Sequence, residues 1–305
     1  MIKRLICLAL SMALFLCMLT QHITAFEDLD PITPITEEPG SEELTAPAVE
    51  EESAPAVEEE PAPTGPVIFV NDVAVEGAAP FYCGWTTYVS IRAVAQALRP
   101  DADIYWADDG ACVTAEGLSI TAKPDDTYIQ ANGRYLYVPD GVKMVNYSVM
   151  VPIRVIATAL DAQLHWEAET GNVYLTGGSG AIASADEFYD EDSLYWLSHI
   201  INAESGNQPL NGKIAVGNVV LNRLNNPTFP DTIHGVIYQK NQFSPARSGS
   251  IKKTPNAESV IAAKLCLEGV AVLPTALWFN RNGLSSWAAR NKECIAVIGD
   301  HSFFA

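Results

Sequence analysis

Apolar residues recur every three or four positions in several segments near the C-terminal end of the 305-residue chain. In the segment Ser193–Ser205, Leu194, Leu197 and Ile201 form one such stripe, which predicts an amphipathic helix that ends before Gly206. Two more segments have helical spacing and one reads as a strand: Gly212–Leu224, Pro255–Gly269 and, for the strand, Cys294–Gly299. The pattern therefore predicts three helices and one strand in the C-terminal region.

A different pattern, with an internal repeat, occupies residues 66–178. The segment Val89–Leu98 returns 62 residues later as Val151–Leu160, and each copy continues to a tryptophan, Trp106 or Trp166. Short apolar runs and turn residues flank both copies, so each copy predicts a hairpin, then a helix, then a pair of strands. Neither copy is large enough to bury a core alone, and we expect the two to pair.

The N-terminal end has the order of a secretory signal peptide. Lys3 and Arg4 precede the apolar run Leu5–Leu19, and Ala25 is a suitable cleavage residue. The apolar run is shorter than the roughly 20 residues that span a bilayer, which argues against a permanent anchor. Residues 1–25 are thus predicted to direct export.

Charge is distributed unevenly along the chain. The whole sequence carries 18 Lys and Arg against 37 Asp and Glu, a formal net charge of -19, which argues against a nucleic-acid-binding protein. Residues 26–65 combine thirteen acids and no base with repeated prolines, and predict an extended, disordered linker. Residues 179–192 carry five acids and predict an acidic hinge, whereas residues 193–305 carry ten bases and six acids.

Four cysteines remain after the predicted signal peptide, Cys83, Cys112, Cys266 and Cys294. In an exported protein they permit two disulfides, while buried free thiols are the other reading. No CxxC motif or Cys/His cluster has the spacing of metal ligands, so neither a metal nor another cofactor is expected.

Glu204 is the strongest candidate for a catalytic residue. It continues the apolar stripe three residues beyond Ile201, so its carboxylate is predicted to point inward. Desolvation disfavours the charged form and raises the pKa of such a carboxyl, which suits a general acid at neutral pH. The alternative is a glutamate at the helix end that is rotated into solvent.

Five strings in the C-terminal region together resemble the spore cortex-lytic cell wall hydrolase family. The strings are I-N-A-E (201–204), P-x-x-G-K-I-A-V-G-N-V-V-L-N-R (209–223), F-P-x-T-I-x-G-V-I-Y (229–238), Q-F-S (242–244) and I-G-x-H-x-F (298–303). They cover essentially all of residues 193–305. The resemblance implies a small, mostly helical lysozyme-like fold that cleaves peptidoglycan glycan strands as a lytic transglycosylase, with Glu204 as the single catalytic acid and base.

The other acids of this region offer no second catalytic carboxylate. Glu258 and Glu268 lie on a predicted helix and suit its solvated face, and Asp231 suits a helix start. Glu293 and Asp300 fall in polar turns. Family members often carry an arginine and a second acid just after the catalytic glutamate, whereas this chain has Ser205-Gly206-Asn207-Gln208 there.

Five residues are candidates for binding the sugar. Gln242, Asn280 and His301 offer hydrogen-bonding groups for hydroxyl and acetamido substituents, and Trp278 and Phe279 offer flat apolar faces. For each of them a purely structural role is the alternative.

Residues 66–178 resemble the N-terminal stalk-like domain of copper amine oxidases. The motif V-P-x-R-x-x-A-x-A-L with its following tryptophan carries this resemblance, and the first copy has Ser90 in place of the motif's proline. No copper ligands accompany it, since His165 stands alone. Arg92 and Arg154 are expected to bind an anionic partner or to pair with carboxylates inside the domain. The resemblance implies a spacer or wall-contacting module without catalysis.

Together these expectations describe an exported α+β multidomain protein. A two-copy β/α stalk domain (66–178) is followed by the hinge (179–192) and a lysozyme-like catalytic domain (193–305). The expected activity is cleavage of peptidoglycan in spore cortex or cell wall by a monomer. The alternatives are a hydrolytic muramidase or glucosaminidase, and a wall-binding protein without catalysis.

Overall fold

The computed structural model describes residues 65–305, so the predicted signal peptide and nearly all of the predicted linker lie outside the described residues. Short strands and two helices make up the first part of the described chain. The strands are β1 (Ile68–Val70), β2 (Val73–Ala74), β3 (Phe81–Cys83), β4 (Thr86–Ser90), β5 (Asp103–Ala107), β6 (Gly110–Ala115), β7 (Leu118–Ala122), β8 (Tyr128–Ala131), β9 (Arg134–Tyr137), β10 (Lys143–Val145), β11 (Ser148–Pro152), β12 (Gln163–Trp166) and β13 (Val173–Thr176). The helices are α1 (Ile91–Leu98) and α2 (Ile153–Ala159).

These strands form sheets that combine segments from both halves of the region. The strand orders are β12-β13-β1-β2, β10-β11-β4-β3 and β5-β6-β7-β8-β9. In the second sheet β4 and β11 run antiparallel with Val89 opposite Val151, the two positions that the internal repeat aligns. Both valines are fully buried in one core cluster. The two repeated segments therefore meet at the centre of this sheet.

The two helices begin differently, although their sequences match. The hydroxyl of Ser90 accepts a hydrogen bond from the backbone amide of Ala93 at 3.4 Å, so Ser90 caps α1, whereas Pro152 gives α2 no side-chain cap. Arg92 on α1 donates to the carbonyl oxygen of Ile104 at 3.2 Å. Neither Arg92 nor Arg154 forms an ion pair with a described residue, so the predicted pairing with carboxylates inside this region is wrong.

The acidic segment 179–192 is folded against its neighbours. It contains α3 (Ala185–Phe188), where the Glu187 carboxylate accepts hydrogen bonds from the amide and hydroxyl of Ser184. Asp190 then caps the next helix by accepting from the amide of Ser193 at 2.8 Å. The acids of this segment thus satisfy helix N-termini, where negative charge is favourable. The predicted domain boundaries themselves stay a prediction.

The C-terminal region combines helices with one small sheet. The helices are α4 (Glu191–Ser205), α5 (Leu210–Leu224), α6 (Ile233–Tyr238), α7 (Ser244–Ser248), a 3-10 turn (Ser250–Lys252), α8 (Ala257–Leu267) and α9 (Trp287–Asn291). The strands β14 (Trp278–Arg281), β15 (Cys294–Ile298) and β16 (His301–Phe304) form an antiparallel sheet in the order β14-β16-β15. All three predicted helices and the predicted strand are confirmed, with ends shifted by one or two residues.

Helices α4, α5 and α8 pack around the core of this region. Its fully buried members include Leu197 and Ile201 of α4, as the apolar stripe predicts. Gly217 on α5 lies so close to α8 and α4 that a Cβ atom there would stand 2.6 Å from Cys266 Sγ and 2.9 Å from Ile201 Cδ1. A larger residue at this position would force these buried side chains to shift, so glycine suits the close approach of the helices.

The described residues belong to one compact unit, in which α8 packs on β9. The guanidinium of Arg134 donates to both carboxylate oxygens of Glu268, at 2.8 and 2.7 Å, and the Tyr189 hydroxyl donates to the same carboxylate at 2.6 Å. Lys264 Nζ donates to the carbonyl oxygen of Gly133 at 2.8 Å. These contacts join the strand-rich region to the helical region.

Two further findings concern the cysteines and the helices of residues 65–305. All four cysteines within residues 65–305 are free, which agrees with the free-thiol reading, and Cys112 and Cys266 are buried. Among the described residues no helix combines the length and the hydropathy that crossing a membrane requires.

Candidate active site

Glu204 lies in the last turn of α4, one residue before the helix ends. The next residue, Ser205, is buried, and its hydroxyl donates to the carbonyl oxygen of Ile201 at 2.7 Å. Since Ile201 is buried one turn earlier, the side chain of Glu204 leaves the helix on the side of the core and is only partly exposed.

Burial changes the pKa of the Glu204 carboxyl. It raises the pKa of this carboxyl from its ordinary value of 4.5 to about 7. The carboxylate forms no ion pair and no hydrogen bond with any residue between 65 and 305, so no donor stabilises its charged form. At neutral pH the group is therefore divided between its acid and its base form.

A set of hydrogen bonds fixes the chain that follows Glu204. The side-chain oxygen of Asn202 accepts from the backbone amide of Asn256 at 3.1 Å, and the Asn256 side chain donates to the carbonyl oxygen of Gly206 at 3.0 Å. Lys213, which is buried, donates to the carbonyl oxygen of Gln208 and to the carboxylate of Glu258. The end of α4 is thereby held against α8 and α5.

Glu204 opens into a cleft with a volume of about 840 Å³. The walls come from the ends of α4 and α5, the loop after α6, the helix α7 and the sheet strands β14 and β16. A volume of this order lies in the range of sites that hold small organic ligands, roughly 300–1,000 Å³.

Four of the five predicted sugar-binding residues lie in this cleft with Glu204. Gln242, Phe279, Asn280 and His301 all contribute to its lining. The Asn280 side chain is already engaged, since it donates to the carbonyl oxygen of Arg281 at 2.8 Å and accepts from the Ser286 hydroxyl at 2.6 Å. His301 is buried with its edge against Phe279, and burial lowers its pKa, so the imidazole is neutral at pH 7.

Trp278 is the exception, because it does not line the cleft. Its ring lies 5.8 Å from that of Trp287, and Lys292 Nζ stands 4.3 Å above it. The structure therefore groups Phe279 and not Trp278 with Glu204, and a contact of Trp278 with the sugar stays a prediction.

Arg223 is a cleft residue that the sequence did not single out. It lies in the last turn of the apolar helix α5, and the residue is only 4 % exposed, which is rare for arginine. Nε donates to the carbonyl oxygen of Leu277 at 2.7 Å, while Nη1 has no partner within residues 65–305. Burial lowers its pKa to about 10, so it stays charged at neutral pH. In the sequence, only its position at the end of the motif string L-N-R could have indicated a functional role.

The other five acids of the region lie outside the cleft lining. Glu268 was predicted to face solvent, but its side chain is buried and forms an ion pair with Arg134. Glu258 is exposed, as predicted, and forms an ion pair with Lys213. Asp231 precedes the cap of α6, which is Thr232. Among the described residues no group of three or more His, Cys, Asp and Glu side chains is placed to hold a metal ion.

Residues 207–304 match the family model described as Cell Wall Hydrolase, and residues 69–175 match that described as Copper amine oxidase N-terminal domain. The C-terminal part of this chain is similar to the cell wall hydrolase family. Both resemblances that the motifs predicted are thus confirmed. The hydrolase match begins just after Glu204, so it does not itself include that residue.

Several curated relatives are described as spore cortex-lytic enzymes. The one from Oceanobacillus iheyensis is 30% identical over 129 residues, which are 42% of this chain and 46% of that protein. The one from Halalkalibacterium halodurans is 32% identical over 116 residues, 38% of this chain and 35% of that protein. The chain therefore spans less than half the length of the curated relatives it matches.

Two solved structures are also similar to this chain. The catalytic domain of the Bacillus cereus SleB protein is 28% identical and covers 38% of this chain and 92% of its own, with a TM-score of 0.36. The catalytic domain of the germination-specific lytic transglycosylase SleB from Bacillus anthracis is 28% identical and covers 38% and 97%, with a TM-score of 0.36.

Proposed function

We propose that this protein is an exported enzyme that degrades peptidoglycan by cleaving the glycan strands of spore cortex or cell wall. The similarity of its C-terminal domain to the cell wall hydrolase family and the relatives described as spore cortex-lytic enzymes support this class of substrate. We further propose that the domain is lysozyme-like and acts as a lytic transglycosylase, with Glu204 as the only catalytic residue that moves a proton.

One observation carries the choice of mechanism. Among residues 65–305, Glu204 is the only carboxylate in the cleft lining, and the other five acids of residues 193–305 lie elsewhere. Glycosidases that use water need two carboxyl groups about 5–9.5 Å apart, one as acid and one as nucleophile or base. A single carboxyl suits a reaction in which the substrate supplies its own nucleophile.

The proposed reaction uses Glu204 twice. The protonated carboxyl first gives its proton to the glycosidic oxygen, and the bond from that oxygen to the anomeric carbon of muramic acid breaks. The resulting carboxylate then takes the proton of the 6-hydroxyl of the same sugar, whose oxygen bonds to the anomeric carbon. The product is a 1,6-anhydro ring, no water is consumed, and Glu204 is again protonated. A pKa of about 7 supports both steps at neutral pH.

The remaining cleft residues are proposed to hold the sugar. Gln242 is exposed and free to bond hydroxyl and acetamido groups, and Phe279 supplies an apolar face. Asn280 and His301 complete the polar lining. Residues 66–178 are proposed to act as a spacer or wall contact, with residues 1–25 as the export signal.

Analysis of reaction products tests the proposal. The full chain is incubated with purified spore cortex or wall peptidoglycan, and the released fragments are analysed by mass spectrometry. The proposal predicts ends in 1,6-anhydromuramic acid, which are one water lighter than reducing ends. Reducing muramic acid or N-acetylglucosamine would show hydrolysis and contradict the transglycosylase mechanism. Binding without any release would favour a wall-binding protein.

A further inference from the structure

The charged residues of the cleft are strongly unbalanced. Arg223, Lys240, Arg247 and Arg281 all line it, against the single carboxyl of Glu204. None of these four cations forms an ion pair within the part of the chain that the structure describes. Four of the ten bases of residues 193–305 are therefore concentrated in one cleft without partners.

The buried end of the same cleft contains polar atoms without partners. Within residues 65–305, the buried side-chain atoms that lack a hydrogen bond are Nη1 of Arg223, Oε1 of Gln239 and Nδ1 of His301. All three residues line the cleft. Arg223 and His301 are 4 % and 8 % exposed, so these atoms are withdrawn from bulk water. A buried polar group without a partner is costly, which makes an external partner the natural explanation.

The surroundings of Arg223 hold its guanidinium in place. Nε is tied to the carbonyl oxygen of Leu277, and the rings of Phe229 and Phe243 lie 5.2 and 5.3 Å from its central carbon. The unpaired Nη1 therefore points in a fixed direction from an apolar part of the cleft wall. A fixed guanidinium binds carboxylate or phosphate oxygens with short, charge-assisted hydrogen bonds.

We propose that this cleft contains an anion subsite that binds a carboxylate carried by the glycan strand, with the guanidinium of Arg223 at its buried end. Oε1 of Gln239 is an acceptor, and it is left for a hydroxyl or N–H group of the same strand. Lys240, Arg247 and Arg281 are exposed at the rim of the cleft and attract the same carboxylate. The inference rests on the proposed function, because it is the peptidoglycan strand that carries carboxylates on its peptide side chains. It makes the enzyme selective for strands that retain these charges.

Chemically altered peptidoglycan tests the subsite. Three insoluble substrates are compared: untreated wall, wall stripped of phosphate polymers with hydrofluoric acid, and stripped wall whose carboxyl groups are converted to amides. Binding is measured by pull-down of the full chain carrying Glu204→Gln, so that cleavage does not consume the substrate. Cleavage is measured with the unaltered chain.

The subsite predicts that stripping phosphate changes little and that amidation weakens binding about tenfold or more. Arg281→Gln and Arg247→Gln are each expected to weaken binding to stripped wall several-fold and to change binding to amidated wall very little. Arg290→Gln, which removes an equal charge outside the cleft lining, serves as the matched control. Arg223→Lys keeps the positive charge but loses the planar guanidinium, so it is also expected to weaken binding to stripped wall. If this variant does not fold, Arg281→Gln and Arg247→Gln test the subsite.

Three results would overturn the subsite: equal binding to stripped and amidated wall, loss of binding on phosphate removal alone, or equal effects of Arg281→Gln and Arg290→Gln. The two proposals fail in different ways. Cleavage of amidated wall at the full rate contradicts the subsite and leaves the enzyme assignment intact. Carboxylate-dependent binding without any released fragment contradicts the enzyme assignment and leaves the subsite intact.

Discussion

Glu204 and Glu268 are two carboxylates of the C-terminal region that differ in their partners. Glu268 is 8 % exposed in its side chain, and it receives two hydrogen bonds from Arg134 and one from Tyr189. Glu204 is partly buried at the end of α4 and receives none from the described residues. The first faces the strand-rich region, and the second faces an open cleft.

The difference shows how a partner changes what burial does to a carboxylate. Removal from water disfavours charge, and a guanidinium with a hydroxyl offsets that cost at Glu268. At Glu204 nothing offsets it, and its pKa rises to about 7. The paired group contributes to structure, whereas the unpaired one keeps a proton available for transfer.

Replacement of Glu204 by glutamine is expected to have the largest effect. The amide is nearly isosteric but donates no acidic proton, so cleavage of peptidoglycan falls by at least about 100- to 10,000-fold. The rate of muropeptide release measures this loss. Asp231→Asn, a change at an exposed acid outside the cleft lining, is the control and is expected to leave the rate unchanged.

The same variant is expected to be more stable at high pH. A carboxyl whose pKa is raised on folding destabilises the folded state above that pKa, and the penalty vanishes below the ordinary value of 4.5, where both states are protonated. Glu204→Gln is thus expected to gain up to about 3 kcal/mol in unfolding free energy at pH 8 and nothing at pH 4. An unaltered rate of cleavage would refute the catalytic role of Glu204.

Replacement of Glu268 by glutamine is expected to reduce stability strongly. It leaves the buried Arg134 without its counter-charge, which typically costs about 3–5 kcal/mol. Chemical denaturation at neutral pH measures the loss. Replacing both residues, as Arg134→Met with Glu268→Leu, is expected to recover much of it. A double variant as unstable as the single one would show that the ion pair itself, rather than the orphaned charge, is what matters.

The sequence predicted Glu204 and missed Glu268 for one reason. An inward carboxylate on α4 follows from the spacing of Leu197 and Ile201, which is local. The partner of Glu268 is Arg134, 134 residues earlier, and no periodicity relates the two. Arg223 was missed for a similar reason. The sequence of a helix does not show that the end of that helix forms part of a cleft wall.

The pH dependence of cleavage is expected to reflect Glu204 alone. Only the protonated carboxyl starts the reaction, so kcat/KM is predicted to fall about tenfold for each pH unit above about 7. His301 does not cause this decrease on the alkaline side of the profile, the alkaline limb, since burial lowers the pKa of its imidazole below the usual range. His301→Gln should therefore preserve the position of the limb, and a shift of the limb in that variant would assign it to the imidazole.

The smallest effect in this series is expected for Glu258→Gln. Its side chain is 52% exposed, so water replaces part of what the ion pair with Lys213 supplies. Lys213 also keeps its hydrogen bond to the Gln208 carbonyl oxygen. A loss of about 1 kcal/mol in unfolding free energy is predicted. A loss equal to that of Glu268→Gln would show that exposure does not distinguish these pairs.

Direct titration of the glutamate side chains by NMR tests the central contrast most sharply. The full chain is labelled with 13C at the carboxyl carbons, and the Glu204 resonance is assigned by its absence in Glu204→Gln. The structure predicts a midpoint near pH 7 for Glu204, because burial raises its pKa without any compensating donor. A midpoint near the ordinary value of 4.5 would contradict the account, since Glu204 would then hold no proton to donate at neutral pH.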